Sequence, residues 1–237
     1  MSYILAFDTS TKACSVALFR ATELLAFSHT VTEGFVHAEQ LHVRIGALMK
    51  QASLSFDQLD AVAVGKGPGS YTGLRIGVSA AKGLAYALDI PLIAVESLDF
   101  MLFSASLGSK SFVMPMIDAR RLEAFAKLVY VSDQSWDVKL PTTNLIFDTE
   151  EFEHILDGVG QEVIYFIGDA AKKAAEFLRN HPKVSQFRFE DTVYPNVSSA
   201  GALLNELYHQ KRFEDVVHFE PFYLKDFMIT PSSKGVR

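Results

Sequence analysis

The 237-residue sequence contains a single cysteine, Cys14. No disulfide can therefore form within the chain, which is typical of a reducing compartment. Cys14 lies in an apolar run without a neighbouring base, and this setting favours a buried structural thiol over a nucleophile. The sequence also lacks an apolar run of membrane-spanning length, and its first residues lack the basic and apolar segments of a signal peptide. These absences predict a cytoplasmic protein without a membrane segment.

Positive charge is also scarce. The 22 Lys and Arg residues are outnumbered by 28 Asp and Glu residues, which gives a net charge of −6. This balance argues against a general basic surface for nucleic acid, although a local basic patch is compatible with it. The hydrophobic fraction of 49% indicates a globular chain with a sizeable core. The 19 Phe residues leave two explanations open, a Phe-rich core or an additional apolar surface for a partner.

Several motifs of enzyme chemistry are missing. No Gly-Lys-Ser/Thr sequence opens a helix, so the chain has no Walker phosphate loop. The segment 67–71 reads GPGSY and lacks the final glycine of a serine-hydrolase elbow. His37 and His42 are five residues apart, which does not place them on one helix face as a metal-binding pair. We therefore predict neither a metal site nor a serine hydrolase.

The most distinctive segment that is present runs from Val64 to Gly83 and reads VGKGPGSYTGLRIGVSAAKG. A predicted strand leads into a glycine-rich loop, and the loop leads into a helix in which only Arg75 and Lys82 are charged. Such a loop can bring backbone N–H groups to a phosphate, or can let the helix pack tightly on its own sheet. A helix that is apolar nearly all round packs in a core or against a partner. We interpret the small residues as one half of a protein–protein contact, with the glycines allowing close approach.

The predicted elements follow the order βββαβαβα, and part of that order recurs in the second half. One strand ends at Asp8, six residues before Cys14, and a later strand ends at Asp118, six residues before Ala124. Strand, Asp, polar turn and strand therefore occur twice, which predicts a duplicated meander and two α/β domains around a cleft. Chance similarity of two hairpins is the alternative. After Val131 the pattern weakens, so the second copy is predicted to be partial.

The first Asp turn offers one carboxylate and three hydroxyl groups. Asp8, Thr9 and Ser10, with Thr11 and Asp118, could hold a phosphate that carries Mg²⁺. A turn whose side chains satisfy their own backbone explains the same residues. Spacing alone favours this second explanation.

Three dense segments carry a resemblance to a known family: ILAFDTSTKACSVALF, HAEQL and VGKGPGSYTGLRIGVSAAKGLAYALDIPLIAVESLD. Weaker segments are MIDARRLEAFAKLVY, IGDAAKKAAEFL, SSAGALL and EPFYL. They resemble the TsaB family, also called YeaZ, which takes part in making N6-threonylcarbamoyladenosine in tRNA. The resemblance implies the actin-like ATPase (ribonuclease H-like) α/β fold, shared with M22 peptidases, in two duplicated βββαβαβα domains of which the second is reduced. The implied domains are residues 1–104 and 105–237, with the last helix packing back on the first domain.

The resemblance also implies a non-catalytic protein. In the paralogous transferase TsaD two histidines bind a metal, and Ser97 and Met101 stand at the matching positions here. A hydroxyl and a thioether are poor ligands for such an ion, so no catalytic residue and no metal are expected. The implied partners are TsaD in a heterodimer, the ATPase TsaE, and a second copy of the chain when alone. Contact with tRNA is expected only through the complex, and nucleotide only weakly or at the partner interface.

The implied contact with TsaD lies on the first two helices, about His37–Ser53 and Gly73–Leu88. The residues predicted at this interface are His37, Gln40, Leu41, Arg44, Ile45, Leu74, Val78, Ala81 and Lys82. A competing hypothesis is an ATPase or phosphotransferase that uses Asp8, Thr9 and Asp118 around Mg²⁺. A third hypothesis is a metallopeptidase.

Overall fold

A computed structural model describes residues 2–32, 37–105, 110–132 and 135–225. These residues form two five-stranded sheets and six α-helices. The first half contains β1 (Tyr3–Asp8), β2 (Ala13–Arg20), β3 (Glu23–Val31), α1 (His37–Gln51), β4 (Ala61–Gly67), α2 (Tyr71–Leu88), β5 (Leu92–Glu96) and α3 (Ser97–Ser104). The second half contains β6 (Ser111–Asp118), β7 (Glu123–Val131), β8 (Trp136–Ile146), α4 (Glu150–Gly158), β9 (Ile164–Ile167), α5 (Ala171–Leu178), β10 (Phe187–Glu190) and α6 (Gly201–His209).

Both sheets have the same topology. Their strand orders are β3-β2-β1-β4-β5 and β8-β7-β6-β9-β10. In each sheet the first three strands form an antiparallel meander, and the other two add in parallel. The duplicated actin-like, ribonuclease H-like fold is therefore confirmed, with Asp8 and Asp118 at the ends of equivalent central strands. The second copy contains every element and is not partial; its reduction lies in length, since α2 has 18 residues and α5 has 8.

The third helix of each half packs against the sheet of the other half. α1 and α2 cover one face of the first sheet, where Phe7 and Val64 belong to the buried core. α6 covers the opposite face through Leu204. α3 lies between the halves, because Phe100 packs with the first sheet while Met101 packs with the second. Among the described residues, no helix combines the length and apolarity needed to cross a bilayer.

A buried ion cluster also joins the halves. The ammonium nitrogen of Lys127 on β7 lies 2.7 Å from Asp99 Oδ1 and 3.0 Å from Glu96 Oε2. Burial lowers the pKa of Lys127, but the two carboxylates outweigh that effect and hold it above its ordinary value. Removing Lys127 would leave both acids without this partner, so the cluster ties the first turn of α3 to the second sheet.

The chain after α6 returns to the first half, and we call residues 214–225 the C-terminal strap. Its backbone is fixed at the start, where Glu214 N donates to Leu92 O, and near the end, where Phe222 N donates to Lys66 O. Lys82 Nζ on α2 donates to the carbonyl oxygens of Val217 and Phe219. The strap therefore lies along one side of α2.

Candidate functional site

The Asp8 turn is sealed inside the protein. Asp8 Oδ1 accepts hydrogen bonds from the backbone N–H and the hydroxyl of Ser10, at 2.8 and 2.7 Å. Its Oδ2 accepts from Ser97 Oγ at 2.6 Å. Burial raises the pKa of Asp8, while these hydrogen bonds oppose the rise. Asp8, Thr9 and Ser10 are all buried, so their side chains present no surface to a phosphate in this structure.

The glycines of the Val64–Gly83 segment explain this sealing. A Cβ atom at Gly65 would lie 1.8 Å from Asp8 Oδ2, and one at Gly73 would lie 2.1 Å from Thr9 O. At Gly77 it would lie 2.4 Å from Thr9 Oγ1. These contacts are too short for any side chain, so the glycines let α2 and its loop close over the chain's own Asp8 turn. The interpretation that these glycines allow approach to a partner is wrong.

Asp118 has a different environment from its counterpart Asp8. It lies on the surface, where its Oδ1 accepts from Lys173 Nζ at 2.6 Å and from the backbone N–H of Arg120 at 2.7 Å. Within the described ranges no hydrogen bond or ion pair joins Asp118 to Asp8. The two carboxylates therefore have different surroundings, Asp8 buried beside Ser10 and Ser97, and Asp118 on the surface beside Lys173.

The nine residues predicted at a partner interface are not equally accessible. Gln40, Arg44 and Lys82 are half-buried. The other six lie in the interior beneath the two helices: His37, Leu41, Ile45, Leu74, Val78 and Ala81. Their side chains hold α1 and α2 on the sheet and present almost no surface. Any contact by these helices therefore falls to the residues on their outer sides.

The outer sides of α1 and α2 form a surface that we call the α1–α2 face. It consists of Ala38, His42, Val43 and Gly46 on α1, and Ser79, Gly83 and Tyr86 on α2. Val43 and Tyr86 are 70% and 78% exposed. Between the helices runs a groove of about 430 Å³, lined by Ala38, His42, Ile76, Ser79, Ala80, Gly83 and Leu84. The lining contains no charged carboxylate, lysine or arginine, which suits an apolar side chain.

Two glycines on this face are not in close contact with any described part of the chain. A Cβ atom at Gly46 or Gly83 would meet nothing within 4 Å. Both lie inside helices, at positions where glycine costs about 1 kcal/mol relative to alanine. Unlike Gly73 and Gly77, they are not explained by any close contact within the described residues.

Residues 34–144 match the family model of TsaD, the tRNA N6-adenosine threonylcarbamoyltransferase. The chain is 28% identical over 232 residues to the tRNA threonylcarbamoyladenosine biosynthesis protein TsaB of Haemophilus influenzae, covering 94% of this chain and 93% of that protein. It is 34% identical over 143 residues to TsaB of Bacillus subtilis, covering 60% and 62%. The solved structure of YeaZ from Pseudomonas aeruginosa superposes with a TM-score of 0.74 at 24% identity, over 94% of this chain and 100% of that one. Over most of its length the chain is therefore similar to proteins of the TsaB (YeaZ) family.

Ser97 and Met101, which the resemblance matches to the metal ligands of TsaD, serve the fold in this chain. Ser97 Oγ donates to Asp8, and Met101 is fully buried between α3 and the second sheet. No group of three His, Cys, Asp or Glu side chains in the described ranges is arranged to hold a metal ion. The residues present at these two positions do not fit a divalent metal.

Two parts of the surface were not predicted from the sequence. The residues predicted at the interface are mostly the inward ones of α1 and α2, because their apolar stripe is the stronger signal in the sequence. The outward residues are smaller and also recur at helical spacing. The packing of the strap against α2 was not predicted either. Three aromatic residues, Phe219, Phe222 and Tyr223, were the available signal that this segment packs on the domain.

Proposed function

We propose that this protein is a non-catalytic scaffold in the formation of N6-threonylcarbamoyladenosine in tRNA. Similarity to TsaB proteins supports a role in this modification, since the similar proteins of Haemophilus influenzae and Bacillus subtilis are named for it. The match of residues 34–144 to the TsaD family supports kinship with the transferase itself. The scaffold binds TsaD through the α1–α2 face and, with it, recruits the ATPase TsaE.

The observation that carries this proposal is the pair of open glycines at Gly46 and Gly83. Both lower the intrinsic stability of their helices, and nothing in the described fold uses the space that they leave. Together with exposed Val43 and Tyr86, they make a thin, largely uncharged surface onto which helices of another protein can pack closely. The six buried interface residues support this face from beneath.

The sealed Asp8 turn supports a scaffold rather than an ATPase or phosphotransferase. Nucleotide hydrolysis on this fold would need Asp8, Thr9 and Asp118 to face one ligand, and two of these are buried against α2. We therefore assign no resident cofactor, and place any nucleotide weakly or at the partner interface. Contact with tRNA occurs through the assembled complex in the cytoplasm.

A second copy of the chain can occupy the same face when TsaD is absent. Homodimer and heterodimer would then exclude each other, because both bury α1 and α2. Mixing with TsaD should convert one assembly into the other.

Val43→Glu tests the docking surface without disturbing the core, because Val43 is 70% exposed. Burying the new carboxylate under a partner is costly, so co-elution with TsaD in size-exclusion chromatography with light scattering should be lost. Val138→Glu is the matched control, since Val138 is 52% exposed on the edge strand β8. Unchanged complex formation by Val43→Glu would contradict the assigned face. So would an equal loss with the control.

A further inference from the structure

Arg75 stands at the border between the α1–α2 face and the strap. Its guanidinium carbon lies 4.1 Å from the centre of the Tyr71 ring, and one of its terminal nitrogens donates to the Tyr71 hydroxyl. Its Nε donates to the Tyr223 hydroxyl at 3.4 Å, and the rings of Tyr71 and Tyr223 are 4.9 Å apart. The guanidinium is thus held between two phenols, one from α2 and one from the strap.

This cation has no acidic partner within the described residues. Arg20, Lys127, Lys173, Lys183 and Lys225 each form an ion pair with a carboxylate, whereas in the described part of the chain Arg75 hydrogen-bonds to two phenol hydroxyls. Arg75 is also exposed, so its remaining N–H groups face outward. A fixed guanidinium with free donors matches the two oxygens of a carboxylate.

The helix period places Arg75 with the docking surface. Positions 75, 79 and 86 differ by four and eleven residues, so Arg75, Ser79 and Tyr86 lie on one side of α2. Arg75 marks one end of this line and Tyr86 the other, with the open position Gly83 between them. A protein seated over Ser79 and Gly83 therefore comes within reach of the guanidinium.

We infer that Arg75 is the charged anchor of the docking surface and binds a carboxylate side chain of the partner transferase. This inference rests on the proposed function, because it requires that TsaD docks on the α1–α2 face. Arginine and tyrosine are the residue types that most often dominate protein–protein interfaces. Tyr71 and Tyr223, which we call the phenol clamp, restrict the guanidinium before binding. This lowers the entropy lost when the contact forms. The strap contributes to recognition by supplying Tyr223.

The test compares three full-length variants by titration calorimetry against purified TsaD at several salt concentrations. Arg75→Gln removes the charge but keeps hydrogen-bond donors near the phenols, and should weaken binding about tenfold or more. It should also flatten the salt dependence of the affinity, because the lost contact is ionic. Tyr223→Phe loosens the clamp and keeps the charge, so it should weaken binding less and retain the salt dependence. Arg179→Gln, at an exposed position after α5, is the control and should bind like the wild type.

Charge reversal gives a positive readout. Arg75→Glu should bind poorly, and one substitution of an acidic surface residue of TsaD by Arg should restore its binding. The inference is overturned if Arg75→Gln binds TsaD with wild-type affinity, or if its affinity falls with an unchanged salt dependence. It is also overturned if the variant affects only self-association. If Val43→Glu also leaves TsaD binding intact, the proposed function fails; if Val43→Glu abolishes binding while Arg75→Gln does not, only the anchor is wrong.

Discussion

Asp8 occupies a position in which a negative charge is costly. The carboxylate is fully buried, and burial raises its pKa although Ser10 and Ser97 donate hydrogen bonds to it. Gly65 has no side chain because a Cβ atom there would overlap with Asp8. The buried Asp8 turn therefore requires glycine in the neighbouring loop, and both features stabilise the fold.

Asp8→Asn tests this assignment through stability. Because the folded protein holds the Asp8 proton more tightly than the unfolded chain, the contribution of Asp8 favours folding at low pH and is lost as the pH rises through its folded pKa. The uncharged Asp8→Asn variant does not lose stability in this way as the pH rises. It should be at least as stable as the wild type at neutral pH, and its relative stability should fall as the pH approaches about 4. Urea unfolding at several pH values measures the difference.

The same variant separates a scaffold from a phosphotransferase. Asp8→Asn should support TsaD-dependent tRNA modification as well as the wild type does, with Asp118→Asn as the exposed control. Loss of modification by a folded Asp8→Asn variant that still binds TsaD would place chemistry at the turn.

At the scale of single elements, α2 uses its glycines in two ways. Gly73 and Gly77 face the Asp8 turn at distances that exclude a side chain, whereas Gly83 faces open space. The sequence could predict that the helix is small and apolar. It could not predict which glycine serves which side, because that depends on where the Thr9 backbone lies in three dimensions.

Gly83→Ala should stabilise the isolated protein by about 1 kcal/mol, since alanine is the better helix former and its Cβ meets nothing within 4 Å. Gly77→Ala is the matched control on the inner side and should destabilise, because its Cβ would lie 2.4 Å from Thr9 Oγ1. Thermal unfolding compares the two. A bulkier Gly83→Leu variant should remain folded and bind TsaD more weakly. Undiminished binding by this variant, or destabilisation by Gly83→Ala, would contradict the role given to Gly83.

Two strands of the second sheet were not predictable from local pattern. β8 is mostly exposed, contains Pro141 and lies at the sheet edge, where a missing N–H and polar residues are tolerated. β10 has only four residues and forms the opposite edge. Central strands such as β1 and β6 are buried on both faces and were therefore easy to identify. The duplication was visible because it repeats in those central strands.

For the whole molecule, three features join the two halves: the exchanged helices α3 and α6, the Lys127 ion cluster and the strap. Lys225 at the end of the strap pairs with Glu123 of the second half at 2.6 Å. These contacts link residues that are far apart in the sequence, so the residue pattern alone gave no sign of the ion cluster and did not show where the strap packs. Together these contacts hold the two halves against each other and so support α1 and α2, which suits a docking scaffold.

The most direct test of this account is the accessibility of the α1–α2 face in the complex. Cys14 is buried and burial raises the pKa of its thiol to about 11, so it should not react with thiol reagents in the folded protein. A Val43→Cys variant therefore carries one reactive thiol, and Val138→Cys carries another on the far edge strand. We expect saturating TsaD to slow labelling of Val43→Cys strongly and to leave Val138→Cys unchanged. Equal labelling of Val43→Cys with and without bound TsaD would contradict docking through this face.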